Sequence, residues 1–220
     1  MHRRHWSSSL VLLMIILTTT GCAGGGESQP LRVTAVSSYT DLVANPTVVY
    51  TSADSTGTLK FTPVADEHGD TEITVTVEDG GLDGDLDTSA DNGTFSRTFD
   101  VIVNPVNDVP TINAIADVTI DEDASEQTVN LTGVTAGGGE VQPMLVSASS
   151  SNSSLIGQIT VDYSPINTTG TLKFTPLADQ HGVSTVTVTV QDGGLDNDLA
   201  TTDDNAVTTR TFEVTVTPDG

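Results

Sequence analysis

The sequence predicts an all-β chain of two tandem antiparallel β-sandwich modules, the first lacking its opening strand or strands. Three observations lead there. The chain repeats itself: AGGGESQP at 23–30 returns as AGGGEVQP at 136–143, TGTLKFTP at 56–63 returns at 169–176, and DGGLD at 79–83 returns at 192–196, always 113 residues on. Laid over one another without a gap, 23–107 and 136–220 share 47 of 85 residues, so one structural unit is present twice. Within each copy, apolar residues alternate with Thr at period two, and outside the first 22 residues no stretch has a helical period.

The elements follow in order. Residues 1–22 open with Arg3 and Arg4 and continue with an apolar run of eight, Leu10 to Leu17. A bilayer core needs about 20 apolar residues, so the run has the proportions of a signal-peptide core rather than a membrane span. Thr19-Thr20-Gly21-Cys22 resembles the lipobox of bacterial lipoproteins, with Thr19 where that family prefers Leu. The resemblance implies lipidation of Cys22 and a membrane contact through that anchor alone; an ordinary cleaved signal is the alternative. Residues 23–107 then form the incomplete repeat and 108–220 the complete one. Only the second copy carries DVPTINAIADVTIDEDASEQTVNLTGVT, residues 108–135, ahead of the shared part.

In the shared part, EITVTVED at 72–79 puts Ile73, Val75 and Val77 on one side and Thr74 and Thr76 on the other. TVTVTVQD at 185–192 does the same. TLKF at 58–61 turns Leu59 and Phe61 inward, and TFDVIV at 98–103 aligns Phe99, Val101 and Val103. VTI at 118–120 and VNL at 129–131 add strands to the second copy, with Gly, Pro, Asn and Asp between elements. About seven short strands in about 100 residues describe an immunoglobulin-like sandwich.

Composition removes whole classes of function. Of 220 residues, 30 are Asp or Glu and 7 Lys or Arg, for a formal charge of −23. Loss of residues 1–21 removes two arginines and leaves 5 − 30 = −25. Such a chain is repelled by phosphate backbones, so no nucleic-acid partner is expected. One cysteine forms no disulfide framework and, with four histidines, no zinc cluster.

NPVNDVPTINAI with DVTIDEDA, FTPVADEHG and VTVEDGG resembles the cadherin-like and Ig-like tandem repeats of large bacterial surface proteins. The resemblance covers nearly all of 23–220. It implies modules stacked into stalks or adhesins, with calcium at their junctions. By it, Asp79, Asn107, Asp108, Asp121 and Glu122 would form one calcium site, and Asp192 would be at most a half-site. Pro105-Val106 precedes Asn107-Asp108 where the family has a fuller acidic string. The alternative is a turn with solvated acids.

The loop 78–91, EDGGLDGDLDTSAD, holds six acids, and Asp83, Asp85 and Asp87 have a spacing able to face one cation. Thr88 and Thr94 stand where an EF-hand needs Gly and Glu, so it is not one. A solvated, charged loop is the competing reading. His68 and His181, with Asp66 and Asp179, fall in turn sequences with no nucleophile to complete a mechanism, and no enzyme is expected. The Thr-Val alternation suits the wet face of a sheet better than a ligand-binding array.

The function that follows is a secreted, lipid-anchored, calcium-assisted adhesion or spacer module at a bacterial cell surface or outer membrane. Its partner would be a surface protein or polysaccharide. The alternatives are a carbohydrate-binding accessory of a secreted enzyme, for which only Tyr39, Tyr50 and Tyr163 offer aromatic contacts, and a truncated fragment of a larger adhesin.

Overall fold

The computed structural model describes residues 13–16, 29–52 and 54–219, the first stretch as backbone only. Its described residues form strands and turns without a helix, and the chain divides into two compact units, Met1–Pro105 and Val106–Gly220.

The first unit contains β1 (Leu13–Ile16), β2 (Leu31–Ser37), β3 (Thr47–Val49), β4 (Thr56–Lys60), β5 (Gly69–Asp79) and β6 (Thr94–Val103). They form two antiparallel sheets, in the orders β1-β4-β3 and β2-β5-β6. The second unit contains β7 (Val118–Asp121), β8 (Gln127–Thr132), β9 (Met144–Ser150), β10 (Ile156–Asp162), β11 (Thr169–Pro176), β12 (Gly182–Asp192) and β13 (Val207–Thr217). Its sheets run β10-β11-β8 and β7-β13-β12-β9.

The predicted alternation is realised. Ile73 and Val75 are buried in the first unit, as are Val186, Val188 and Val190 in the second. Leu131, Leu172 and Phe174 of one sheet meet Phe212, Val214 and Val216 of the other in the second unit's core. In the first, Leu59 and Phe61 pack with Ile73, and the Phe61 and Phe99 rings lie 6.4 Å apart. Mixed-polarity strands of this kind bury one face and wet the other.

One pairing departs from the antiparallel expectation. β7 runs parallel to β13, with Val118 opposite Val214 and Asp121 opposite Thr217. The opening segment of the second unit first pairs with the other sheet, through Thr111 opposite Thr135 and Asn113 N–H donating to the Thr132 carbonyl at 2.9 Å. It then changes sheets to reach β13, so it laces the two layers together.

The first unit replaces only part of that segment. β1 lies beside β4 with Leu13 opposite Leu59, the seat that Val129 holds opposite Leu172. Residues read from sequence as a signal-peptide core thus stand as the strand the first module was expected to lack. They do so three residues out of the repeat's phase, 116 rather than 113 positions before their counterpart. The aliphatic run Leu-Met-Ile-Ile has the composition of a strand as much as of a leader. No described residue pairs with the outer edge of β6, the place β7 takes on β13.

Candidate metal centre

In the second unit, the ends of several elements meet at the pole where β12 ends and β13 begins. Asp192 is the last residue of β12, and its amide donates to the Ala206 carbonyl at 3.1 Å. This closes the loop 193–205 and carries the carboxylate inward, where it is 0% exposed. Oδ1 accepts from Ala206 N–H at 2.8 Å, Gly194 N–H at 3.0 Å and the Asn107 amide nitrogen at 3.2 Å. Gly194 holds φ 61°, and a Cβ there would stand 2.5 Å from an Asp204 carboxylate oxygen, so the turn has no room for a side chain.

Asn107 is the hub. Its amide nitrogen also donates to the Asp204 carbonyl at 2.9 Å, and its Oδ1 accepts from Gln142 Nε2 at 2.8 Å. Gln142, just before β9, also donates to Glu140 Oε2 at 3.1 Å, and Asp108 N–H donates to the same oxygen at 3.2 Å. Glu140 is presented by the turn Gly137–Glu140, whose ends close at 2.8 Å. Gly138, at φ 45°, leaves the space that the Asp108 carboxylate occupies.

The polar balance here is one-sided. Asp192 Oδ2, Gln142 Oε1 and Asn205 Oδ1 are buried and have no hydrogen-bond partner among the described residues. All three are acceptors. Gln142 is only 6% exposed. Leaving a buried acceptor unmade costs about 1–3 kcal/mol, more for a charged group. Carboxylate and amide oxygens are the donor types that a hard cation such as calcium takes, six to eight at a time. Among the described residues, no three His, Cys, Asp or Glu side chains converge as a metal cluster; this set draws on amides as much as acids.

Of the residues expected to form one site, those of the second unit are dispersed. Asn107 and Asp108 lie at this pole. Asp121 and Glu122 lie at the other end of the eleven-residue β13: the Thr217 hydroxyl donates to Asp121 Oδ1 at 2.7 Å, and Asp219 N–H to Glu122 Oε1 at 2.9 Å. At about 3.3 Å per residue, some 30 Å of strand separates the two ends. Asp79 belongs to the first unit, where its Oδ1 accepts from Gly81 and Gly93 N–H at 3.1 and 2.8 Å. Asp192, expected to be at most a half-site, is instead the residue that Asn107 holds. Sequence reasoning missed Glu140, Gln142 and Asn205. The repeated GGGE-x-QP, immediately after a glycine turn, was the available signal.

Asp83 and Asp85 serve their own loop. Asp83 Oδ1 accepts from Asp85 N–H at 3.0 Å, and Asp85 Oδ1 from Asp87 N–H at 2.9 Å. Each carboxylate closes a local turn and both are exposed. The Asp85 N–H and the Thr88 hydroxyl hold the Asp83 carboxyl below its ordinary pKa. The loop of the second copy repeats this through Asp196 and Asp198. His68 and His181 sit beside Asp66 and Asp179, which hold φ 64° and 57° in turns. The Tyr50 hydroxyl is tied to the Asp54 carbonyl, and that of Tyr163 to Asn167. Cys22 lies outside the described residues. Among those residues, no helix is long and apolar enough to cross a membrane.

The chain matches no family model and no curated protein. Among solved structures it is similar to the EC1-2 domains of human mucin-like protocadherin, at 16% identity and a TM-score of 0.45, over 86% of this chain and 85% of that one. It is also similar to domains 1–6 of the surface layer protein SbsC, at 16% identity and a TM-score of 0.36, over 86% of this chain. The extracellular domain of protocadherin GammaB4 follows at 12% identity and a TM-score of 0.41, over 84% of this chain. The chain spans 20% of that surface layer protein structure's chain and 27% of that of the protocadherin extracellular domain.

Proposed function

We propose that this chain is a non-catalytic surface module whose second unit is stiffened by calcium, and that it works as an adhesion or spacer element. The observation that carries the reading is the buried Asp192 carboxylate, with one oxygen unpartnered beside the Asn107–Gln142–Glu140 network. Asp192, Gln142, Asn205, Asp108 and Glu140 are the ligand candidates, with Asn107 orienting them. A cation there would join the unit's entry, the turn before β9 and the loop before β13. Those backbones would then move as one, as a load-bearing spacer requires. Export with a lipid on Cys22, which would release residues 1–21 and with them β1, is part of the reading, and a surface protein or polysaccharide is its partner class.

Calorimetric titration of the full chain with calcium tests it. Extracellular calcium modules bind at roughly 10⁻⁴–10⁻³ M. Binding in that range, weakened at least tenfold in both Asp192→Asn and Glu140→Gln, is expected. No heat and no change in thermal stability at 10 mM calcium and constant ionic strength, about tenfold above that range, would overturn it.

A further inference from the structure

The two copies act as internal controls for one another at β6 and β13. In the second unit Phe212, Val214 and Val216 of β13 are 2%, 0% and 2% exposed. Their counterparts Phe99, Val101 and Val103 on β6 are only half-buried. Phe95, on the same face of β6, is 59% exposed. The sequences of the two strands do not account for the contrast, because Arg, Thr, Phe, Val and Val recur in register. The difference is what covers them. In the second unit residues 110–121 supply buried Pro110 and Ile112 and then β7.

Arg97 and Arg210 report the same difference. Arg210 Nε donates to the Ile112 carbonyl at 3.2 Å. Arg97, at the matching position, lies over the Phe95 ring at 5.1 Å from its centroid. The backbone edge is also matched. Glu213 N–H donates to Asp117 at 2.8 Å, and the Thr217 carbonyl accepts from Glu122 N–H at 2.8 Å. Alternation along a strand turns the groups of residues 213, 215 and 217 outward, and with them those of Asp100, Ile102 and Asn104. On β6 this row meets no strand among the described residues.

We infer that β6 and the face beside it are an acceptor for an extended segment of a partner polypeptide. The partner would run parallel to β6, as β7 runs along β13. Its chemistry is that of 109–120 in this chain, Val-Pro-x-Ile-x-x-Ile-x-Asp-Val-x-Ile. Apolar residues fill the face, a backbone carbonyl takes the Arg97 guanidinium, and an Asp accepts from Asp100 N–H. Strand addition of this kind draws affinity from the main chain and specificity from alternate side chains. It also covers an edge that would otherwise invite indiscriminate pairing.

The probe is a synthetic peptide of residues 108–127, added to the full chain. Binding at micromolar concentration is expected, with exchange of the outward amides of Asp100, Ile102 and Asn104 slowed at least tenfold at saturation. A scrambled peptide should do neither. Ile102→Pro removes an outward N–H from an edge strand, where proline is tolerated, and leaves the β5 pairing intact. It should keep the melting temperature and weaken the peptide at least tenfold. Three results would each overturn the proposal: slow exchange at the outward amides of Asp100, Ile102 and Asn104 in the free chain, showing the edge already covered; equal affinity of Ile102→Pro; or protection confined to the second unit.

Discussion

Replacing Asp192 by Asn changes one atom and should invert its effect with calcium. Oδ1 keeps its three donors, Ala206 N–H, Gly194 N–H and the Asn107 amide. The unpartnered Oδ2 becomes an NH2 group. In chelator, the substitution removes a buried negative charge, a relief of about several kcal/mol, and leaves an NH2 without an assigned acceptor, a cost of about 1–3 kcal/mol. The variant should therefore be at least as stable as the parent, although the carboxylate it loses is hydrogen-bonded three times. In calcium at tenfold its dissociation constant, the parent gains RT ln 11, about 1.4 kcal/mol, and the variant little. That gain corresponds to about 4–8 °C in melting temperature for a domain of this size. Calorimetric melts of the full chain with chelator, calcium and magnesium at one ionic strength read both effects. Magnesium should do less, because it demands tight octahedral geometry. A variant that is clearly less stable in chelator and keeps the full calcium shift would refute the reasoning. Asp192 would then be a purely structural acceptor.

Further outcomes follow from the same geometry. Val214→Ala empties a fully buried site and should cost about 2 kcal/mol, whereas Val101→Ala, at the half-buried counterpart, should cost about half that, as read by denaturant melts. Deleting residues 1–21 removes β1 from the edge of β4, so amide exchange should rise in β4 and β3 while β11 is unchanged. The Glu78 carboxyl is held below its ordinary value of 4.5 by the Asn92 amide and then by Arg32, and Asp83 below 3.8 by the Asp85 N–H and then Thr88. Both folded values lie beneath the unfolded ones. Their contribution is thus complete above about pH 4.5 and lost as pH falls through the folded values, which exchange in 78–91 across that range should show. Cys22→Ser should abolish lipid labelling of the exported chain; equal labelling of variant and parent would refute lipidation.

The fold was legible because the repeat and the period-two pattern are local signals that agree. Ile73, Val75, Val186 and Val188 lie where alternation puts them, and the side facing the core follows without knowledge of the partner sheet. What could not be read was which strand neighbours which. Parallel pairing of β7 with β13 joins residues 96 positions apart, and Val118-Thr119-Ile120 carries no mark of direction. β1 shows the same limit from the other side. An eight-residue apolar run satisfies the composition of a leader and of a buried strand alike, and nothing in it announces the pairing with β4.

The site failed to be legible for a different reason. Counting acids led to the loop 78–91 and to Asp121-Glu122, where carboxylates are dense. Yet a dense exposed run spends its oxygens on its own backbone, as Asp83 does on Asp85 and Asp85 on Asp87. The oxygens left without donors belong to residues of ordinary appearance, Gln142 and Asn205, and to a single Asp at a strand end. Burial separates the two cases. At the surface, water satisfies every lone pair, so acid density says little about binding. Inside, each acceptor must be matched, and one unmatched oxygen is worth more than several solvated charges. The glycines of 137–139 fit this view. They let the chain fold around Asp108 and bring Glu140 and Gln142 to Asn107, a service to the network that no alternation or charge count records.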